Sequence, residues 1–277
     1  MPYEEGRFIG YDGLALCEKR WLPEGDVRAV VVLVHGFLEH SGRHAEVAAE
    51  LNRHGYAVYA VDLRGHGKSE GDRVFVKSFL EHLRDVELFL GHVAEREPDR
   101  PRFLIGFSMG GTIVASLAAR GLVDVRGLVL VAPAVRIAGG VFPVLRPLAG
   151  VLGRFFPRLR LVRMGFRNMS RDPEVIAQVE RDPLAFHGCF PARTGSELLA
   201  AMRLLDDTME AIELPLLVVH GTGDLVTDVE GSRRLHARAG STDKTLKLYD
   251  GLYHDLFHEP EKAQVVSDVI EWLDARR

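Results

Sequence analysis

Six short apolar runs rich in β-branched residues, at positions 30–34, 56–61, 103–105, 128–131, 216–219 and 246–248, recur along the chain with little polar interruption. Runs of this kind belong to strands buried on both faces, the condition of strands in a parallel sheet. Helix-like stretches at 43–54 and 109–120 separate the first two pairs. The alternation therefore predicts an α/β fold: a mostly parallel sheet flanked by helices on both faces. Ahead of these runs, residues 7–11 and 14–21 flank Asp12-Gly13, a two-residue hairpin signal, so the sheet is expected to open with an antiparallel pair and to reach eight strands. Helices are predicted at 79–95 and 263–275, the latter just after Pro260.

One stretch breaks the rhythm. From about 135 to 211 no buried-strand run occurs; Gly, Pro, Phe and Arg dominate its first half, and a helical pattern at 195–212 closes it. The simplest reading is a helical insertion between two strands. It divides the chain into a core at 1–135, a helical cap at 136–211 and a second core portion at 212–277. Such an insertion would stand over the carboxyl ends of the strands, where sheets of this type place ligands.

The run 102–106 leads into Gly106-Phe107-Ser108-Met109-Gly110-Gly111 and then into a helical stretch. A serine in G-x-S-x-G between strand and helix fits a strained turn that lifts its hydroxyl above the sheet. The other reading is a Gly-rich turn with an N-capping serine. A nucleophilic serine needs a histidine within hydrogen-bond reach and a carboxylate to orient it, both from later loops. The strand 216–219 runs into His220-Gly-Thr-Gly-Asp224, and the strand 246–248 is followed by Tyr249-Asp-Gly-Leu-Tyr-His254. Ser108, Asp224 and His254 thus stand in the order serine, acid, histidine. Asp228 is the rival carboxylate and His258 the rival imidazole. Asp250 and Asp255 lie too close to His254 in sequence to orient its ring easily, and His35 and His220 read as turn formers at strand ends. For the oxyanion, the expected donors are the backbone N–H groups of Met109, at a helix start, and of Phe37, in the loop after the strand 30–34.

Composition removes other classes. Lys and Arg number 35 against 39 Asp and Glu, a net charge of −4 that does not suit nucleic-acid binding. Cys17 and Cys189 have no metal or redox spacing and read as unpaired. The acidic N-terminal residues lack a secretory pattern, and no apolar run of about 18 residues occurs, so a cytoplasmic protein is expected.

The loop 35–43 (His-Gly-Phe-Leu-Glu-His-Ser-Gly-Arg), the turn 62–71, the elbow 106–111, the loop 221–224 and the segment 243–254 together resemble the monoacylglycerol lipase and lysophospholipase group of the α/β-hydrolase superfamily, from about Arg7 to Leu273. The resemblance implies that Ser108, Asp224 and His254 form a triad, that Phe37 and Met109 are the oxyanion donors, and that a mobile helical cap fills the strand gap. Members acting on glycerol esters often carry histidine just before the nucleophile and again three positions after the catalytic histidine; here these positions are Phe107 and Phe257. Both are expected near the substrate's alcohol side. Glu39, His40 and Arg43 either hydrogen-bond a head group or form a polar network holding the oxyanion loop. The turn 62–71, with Arg64 and His66, is expected to be structural.

The cap is where the charge collects. Residues 137–171 contain seven arginines and no lysine or acidic residue; residues 137–205 carry +5 and the rest of the chain −9. This either suits contact with an anionic membrane or is a solvated face of an ordinary cap. The expected activity is hydrolysis of carboxylic esters of lipid-like substrates, monoacylglycerol or lysophospholipid, through an acyl-enzyme, with no metal or organic cofactor. A small-ester carboxylesterase or an aminopeptidase on the same scaffold is the alternative, although a peptidase wants carboxylates in the cap to hold an ammonium. A non-catalytic ligand-binding member of the fold is the alternative from another class.

Overall fold

The computed structural model describes residues 3–139 and 148–277. In chain order its main elements are β1 (Glu4–Ile9), β2 (Ala15–Trp21), β3 (Ala29–Val34), α1 (Ala45–Arg53), β4 (Tyr56–Val61), α2 (Leu80–Arg96), β5 (Arg102–Phe107), α3 (Met109–Ala119), β6 (Gly127–Val131), α4 (Ala149–Phe155), β7 (Arg160–Val162), α5 (Pro173–Arg181), β8 (Phe190–Pro191), α6 (Ala192–Thr208), β9 (Leu216–Gly221), α7 (Val229–Arg238), β10 (Lys244–Tyr249) and α8 (Lys262–Asp274). Eight strands form one sheet in the order β1-β2-β4-β3-β5-β6-β9-β10. Only β2 runs against the others, pairing antiparallel with both β1 and β4.

Every residue of β3 is buried, and its side chains alternate between the two faces of the sheet. Val30, Val32 and Val34 pack under α2 and α3, whereas Val31 and Leu33 face the core shared with α1 and α8. Covering both faces is what a strand without polar residues requires. A Leu33→Ala change here would cost about 2–5 kcal/mol.

The opening hairpin differs from the sequence expectation. Its loop holds three residues between Gly10 and Leu14, with Gly13 N–H donating to Gly10 O and Gly10 N–H donating to Leu14 O. Gly13 has φ +91°, so the turn is a type I turn closed by a left-handed glycine rather than a two-residue connection.

Among the described residues between β6 and β9 the chain adds no strand to the main sheet, but the segment is not purely helical as predicted. The short strands β7 and β8 pair antiparallel, Val162 opposite Phe190. Three and two residues are too few for a period-2 pattern to register in sequence. α4 lies against α6, where Gly153 leaves room for Ser196: a Cβ at Gly153 would come within 2.6 Å of it. Part of the arginine-rich stretch, residues 140–147 with Arg146, lies outside the described residues.

Candidate active site

Because the seven strands other than β2 run the same way, the turns leaving β3, β5, β6, β9 and β10 gather at one edge of the sheet. Ser108 stands in the turn from β5 to α3 with φ +53°, a conformation costly for any residue but glycine. The neighbouring glycines make that turn possible. A Cβ on Gly106 would lie 2.5 Å from Gly110 O, and one on Gly110 would lie 2.1 Å from Val34 O, so α3 packs against the sheet only with both side chains absent. The serine does not cap the helix through its side chain. Its hydroxyl donates instead to His254 Nε2, at 2.9 Å.

His254 Nδ1–H donates to Asp224 Oδ2 at 2.7 Å, and both side chains are buried. Asp224 is held by four further donors. Oδ1 accepts from Val226 N–H and Thr227 N–H; Oδ2 also takes the Thr227 hydroxyl at 2.7 Å and His220 Nε2 at 3.0 Å. Burial works against ionisation of Asp224, but the His254 and His220 contacts outweigh it and hold the carboxyl well below the usual range. Burial likewise disfavours the His254 imidazolium. The Asp224 charge and hydrogen bond, aided by Asp255 and Glu39, more than offset that and raise its pKa above the ordinary 6.5. A serine hydroxyl in this setting faces a base with a strong hold on an incoming proton, the requirement for nucleophilic attack.

The rivals are engaged elsewhere. Asp228 caps α7 by accepting from Glu230 N–H and pairs with Arg136; Asp250 accepts from the Thr222 hydroxyl. His258 bonds Asp255 and the Arg43 carbonyl.

Among the described residues the backbone N–H groups of Phe37 and Met109, which line the same cavity as Ser108, have no hydrogen-bond acceptor. Met109 opens α3, so the positive end of the helix dipole supports it. Gly36, whose carbonyl shares a peptide with the Phe37 N–H, is fixed from two sides. His35 Nδ1–H donates to Gly36 O at 2.7 Å while its Nε2 accepts from Leu63 N–H, and Gly36 N–H donates to Glu39 Oε1 at 2.7 Å. His35 is kept neutral by burial, its pKa pushed down to about 4.

Ser108, Phe37, Met109 and Thr227 open onto a cavity whose remaining walls are almost wholly apolar, among them Leu152, Leu159 and Val162 from the inserted segment and Leu198 and Met202 from α6. Four residues expected at the substrate do not line it. Glu39 binds Arg43 and His44 besides Gly36, and Arg43 continues to Asp255, a buried chain that ties the loop after β3 to the residue after His254. Phe107 lies on the far side of the turn, against Gly36 and beside the His254 ring, and Phe257 packs in the core under α8. Each sits where an apolar residue fills the interior, so the two phenylalanines mark packing rather than contact. His40 meets Asp182 of the inserted segment. The turn after β4 is structural: Asp62 takes Lys19 and Ser41, and Arg64 takes Asp12 and Asp85.

Thr227 and the role of His220 at Asp224 were not legible in the motifs. The available signal was spacing: histidine and aspartate four apart across a glycine-rich strand end, then threonine three further on, placed by the bridge between Ile137 and Thr227.

The sequence matches the hydrolase family described as Serine aminopeptidase, S33, over residues 25–261. The chain belongs to this family. Within this hydrolase family it falls in the monoacylglycerol lipase group: it is 41% identical to a monoacylglycerol lipase of Mycolicibacterium smegmatis over 97% of this chain and 96% of that protein. The solved structure of a Paleococcus ferrophilus monoacylglycerol lipase superposes with a TM-score of 0.85 at 32% identity, over 95% of this chain and 99% of that one. A soluble variant of Saccharomyces cerevisiae monoglyceride lipase has the same fold, with a TM-score of 0.91 at 24% identity over 100% of this chain and 95% of that one. The sheet and its flanking helices are those of an α/β-hydrolase, and the family makes the chain an ester hydrolase.

Proposed function

We propose that this hydrolase cleaves the carboxylic ester of a lipid-like substrate, monoacylglycerol or lysophospholipid, with Ser108, His254 and Asp224 as its triad. The observation that carries the reading is the apolar cavity ending at the Ser108 hydroxyl. An acyl chain fits such walls, and about 0.8 kcal/mol per buried methylene favours its entry. Among the described residues no carboxylate lines the cavity, so a substrate ammonium would find no counter-charge there and the aminopeptidase alternative loses support.

In this reading Ser108 Oγ attacks the ester carbonyl as His254 Nε2 takes its proton, and Asp224 stabilises the imidazolium. The Phe37 and Met109 N–H groups receive the oxyanion, each worth about 2.7–4 kcal/mol in the transition state. His254 then gives the proton to the departing alcohol, and water, activated by the same imidazole, releases the fatty acid. Turnover of p-nitrophenyl esters, monoacylglycerols and lysophospholipids by the protein and by Ser108→Ala tests this. Long-chain substrates are expected to be preferred and the alanine variant to be inactive; full activity of that variant would refute the mechanism.

Residues 136–211 act in this scheme as the cap, and a peripheral contact with anionic membrane is its second proposed task. Phe155 and Phe156 stand 67% and 58% exposed. Near them in sequence, Arg154, Arg163 and Arg167 have no carboxylate partner among the described residues, whereas Arg158 pairs with Asp72 and Arg171 with Glu259. Among the described residues no helix is long and apolar enough to cross a membrane, and the proposed contact is at the membrane surface. Activity on anionic vesicles should fall as salt rises; salt-independent activity would argue against the contact.

A further inference from the structure

We propose that His220 is a positioning residue of the reaction centre: a second imidazole that clamps Asp224 beside His254 and fixes which carboxylate oxygen faces it. The inference rests on the triad reading above.

His220 ends β9 and is fully buried. Its Nε2 lies 3.0 Å from Asp224 Oδ2, the oxygen that accepts from His254. Its Nδ1 lies 2.6 Å from the hydroxyl of Ser232, a buried residue of α7. The Ser232 hydroxyl has no other partner among the described residues, so it donates to Nδ1. With Nδ1 accepting, the ring's proton is on Nε2, which lies between Asp224 Oδ2 and the Thr227 hydroxyl, 3.4 Å away. A strand-end turn former would need only a backbone partner; this ring spends both nitrogens on side chains, one of them the triad carboxylate.

The effect on chemistry follows from where the donors fall. With Oδ1 held by Val226 and Thr227 N–H and Oδ2 shared by His254, His220 and Thr227, the carboxylate cannot rotate away from His254. The His220 donor also draws charge from Oδ2. Without it, Asp224 would hold the His254 proton more strongly. The ionisable groups bearing on this pair are His220 and Asp224 from the β9 end, His254 and Asp255 from the loop after β10, and Glu39 from the oxyanion loop.

The test is the pH dependence of kcat/KM on a soluble p-nitrophenyl ester, and of the rate at which a fluorophosphonate labels Ser108, in three variants of the full chain, with Ser108→Ala as the control. His220→Asn removes the Nε2 donor, and His220→Gln restores an N–H at nearly the same reach. In His220→Asn, kcat is expected to fall about tenfold or more with KM within about twofold, as for loss of a hydrogen bond to a charged group. Its acid limb should move up by about half a pH unit, and His220→Gln should recover both. Ser232→Ala, which frees Nδ1 without touching the triad, should move the acid limb the same way by less, and it serves if His220→Asn fails to fold. An unmoved acid limb in the folded variants, whether or not kcat falls, overturns the inference. Ser108→Ala separates the two readings: if it retains activity, the triad reading fails; if it is inactive while His220 proves indifferent, only this inference does.

Discussion

The edge of the sheet and the segment above it are built on opposite principles. At the edge, buried polar groups hold one another: Asp224 accepts from five donors, Gly36 is held through both its N–H and its carbonyl, and Arg43 links Glu39 to Asp255. In the inserted cap, apolar side chains stand in solvent beside arginines, and the wall facing Ser108 carries almost no polar atom. Buried polar networks permit one arrangement, because each unpaired member costs about 1–3 kcal/mol. An apolar wall permits many. In the proposed reading, chemistry is therefore fixed by the edge and the preference for lipid-like esters by the inserted segment.

Asp224→Asn should break the edge most severely. It keeps the shape but removes the charge that holds His254 in its working tautomer, and a loss of about 10⁴-fold in kcat is expected. Asp228→Asn, four residues on, should change kcat less than about twofold, since that side chain only caps α7 and pairs with Arg136. Equal losses in the two variants would place the acid wrongly. Steady-state kinetics on a soluble ester decides it.

A smaller effect is expected further out in the same network. Glu39→Gln weakens the acceptor for Gly36 N–H and Arg43, and kcat should fall about tenfold with KM little changed. A rise in KM with kcat intact would instead mean that Glu39 meets the substrate.

The cap should behave differently. Phe155→Ser with Phe156→Ser is expected to lower turnover of vesicle-borne substrate a few-fold, roughly 1 kcal/mol of lost surface contact, and to leave a soluble ester's kcat/KM unchanged. Equal losses on both substrates would mean the pair serves the fold.

The mildest expectation concerns pH. In the proposed mechanism the base is neutral His254, so activity is expected to fall as pH drops through its pKa. Because Asp224 raises that pKa, the acid limb of kcat/KM should lie above the 6.5 of an ordinary histidine. A limb below that value would mean that burial outweighs Asp224 at His254.

The edge was also the more legible region in the sequence. Uninterrupted runs such as 30–34 revealed buried parallel strands because no polar residue could be tolerated on either face. The elbow announced Ser108 because only glycine at 106 and 110 lets α3 approach the sheet. What stayed hidden were contacts between distant positions: nothing local to Asp255 or Phe257 shows that the first is claimed by Arg43, 212 positions away, or that the second is interior. His220 was visible as a strand end but not as a partner of Asp224, since that requires the loop's fold. β7 and β8 were too short to carry a pattern.

The most direct test of the account is mass spectrometry of the folded protein after reaction with a long-chain fluorophosphonate. One adduct on Ser108, formed fast in the natural chain and abolished in His254→Ala, is the predicted result. An adduct on another residue, or none while ester turnover continues, would contradict it.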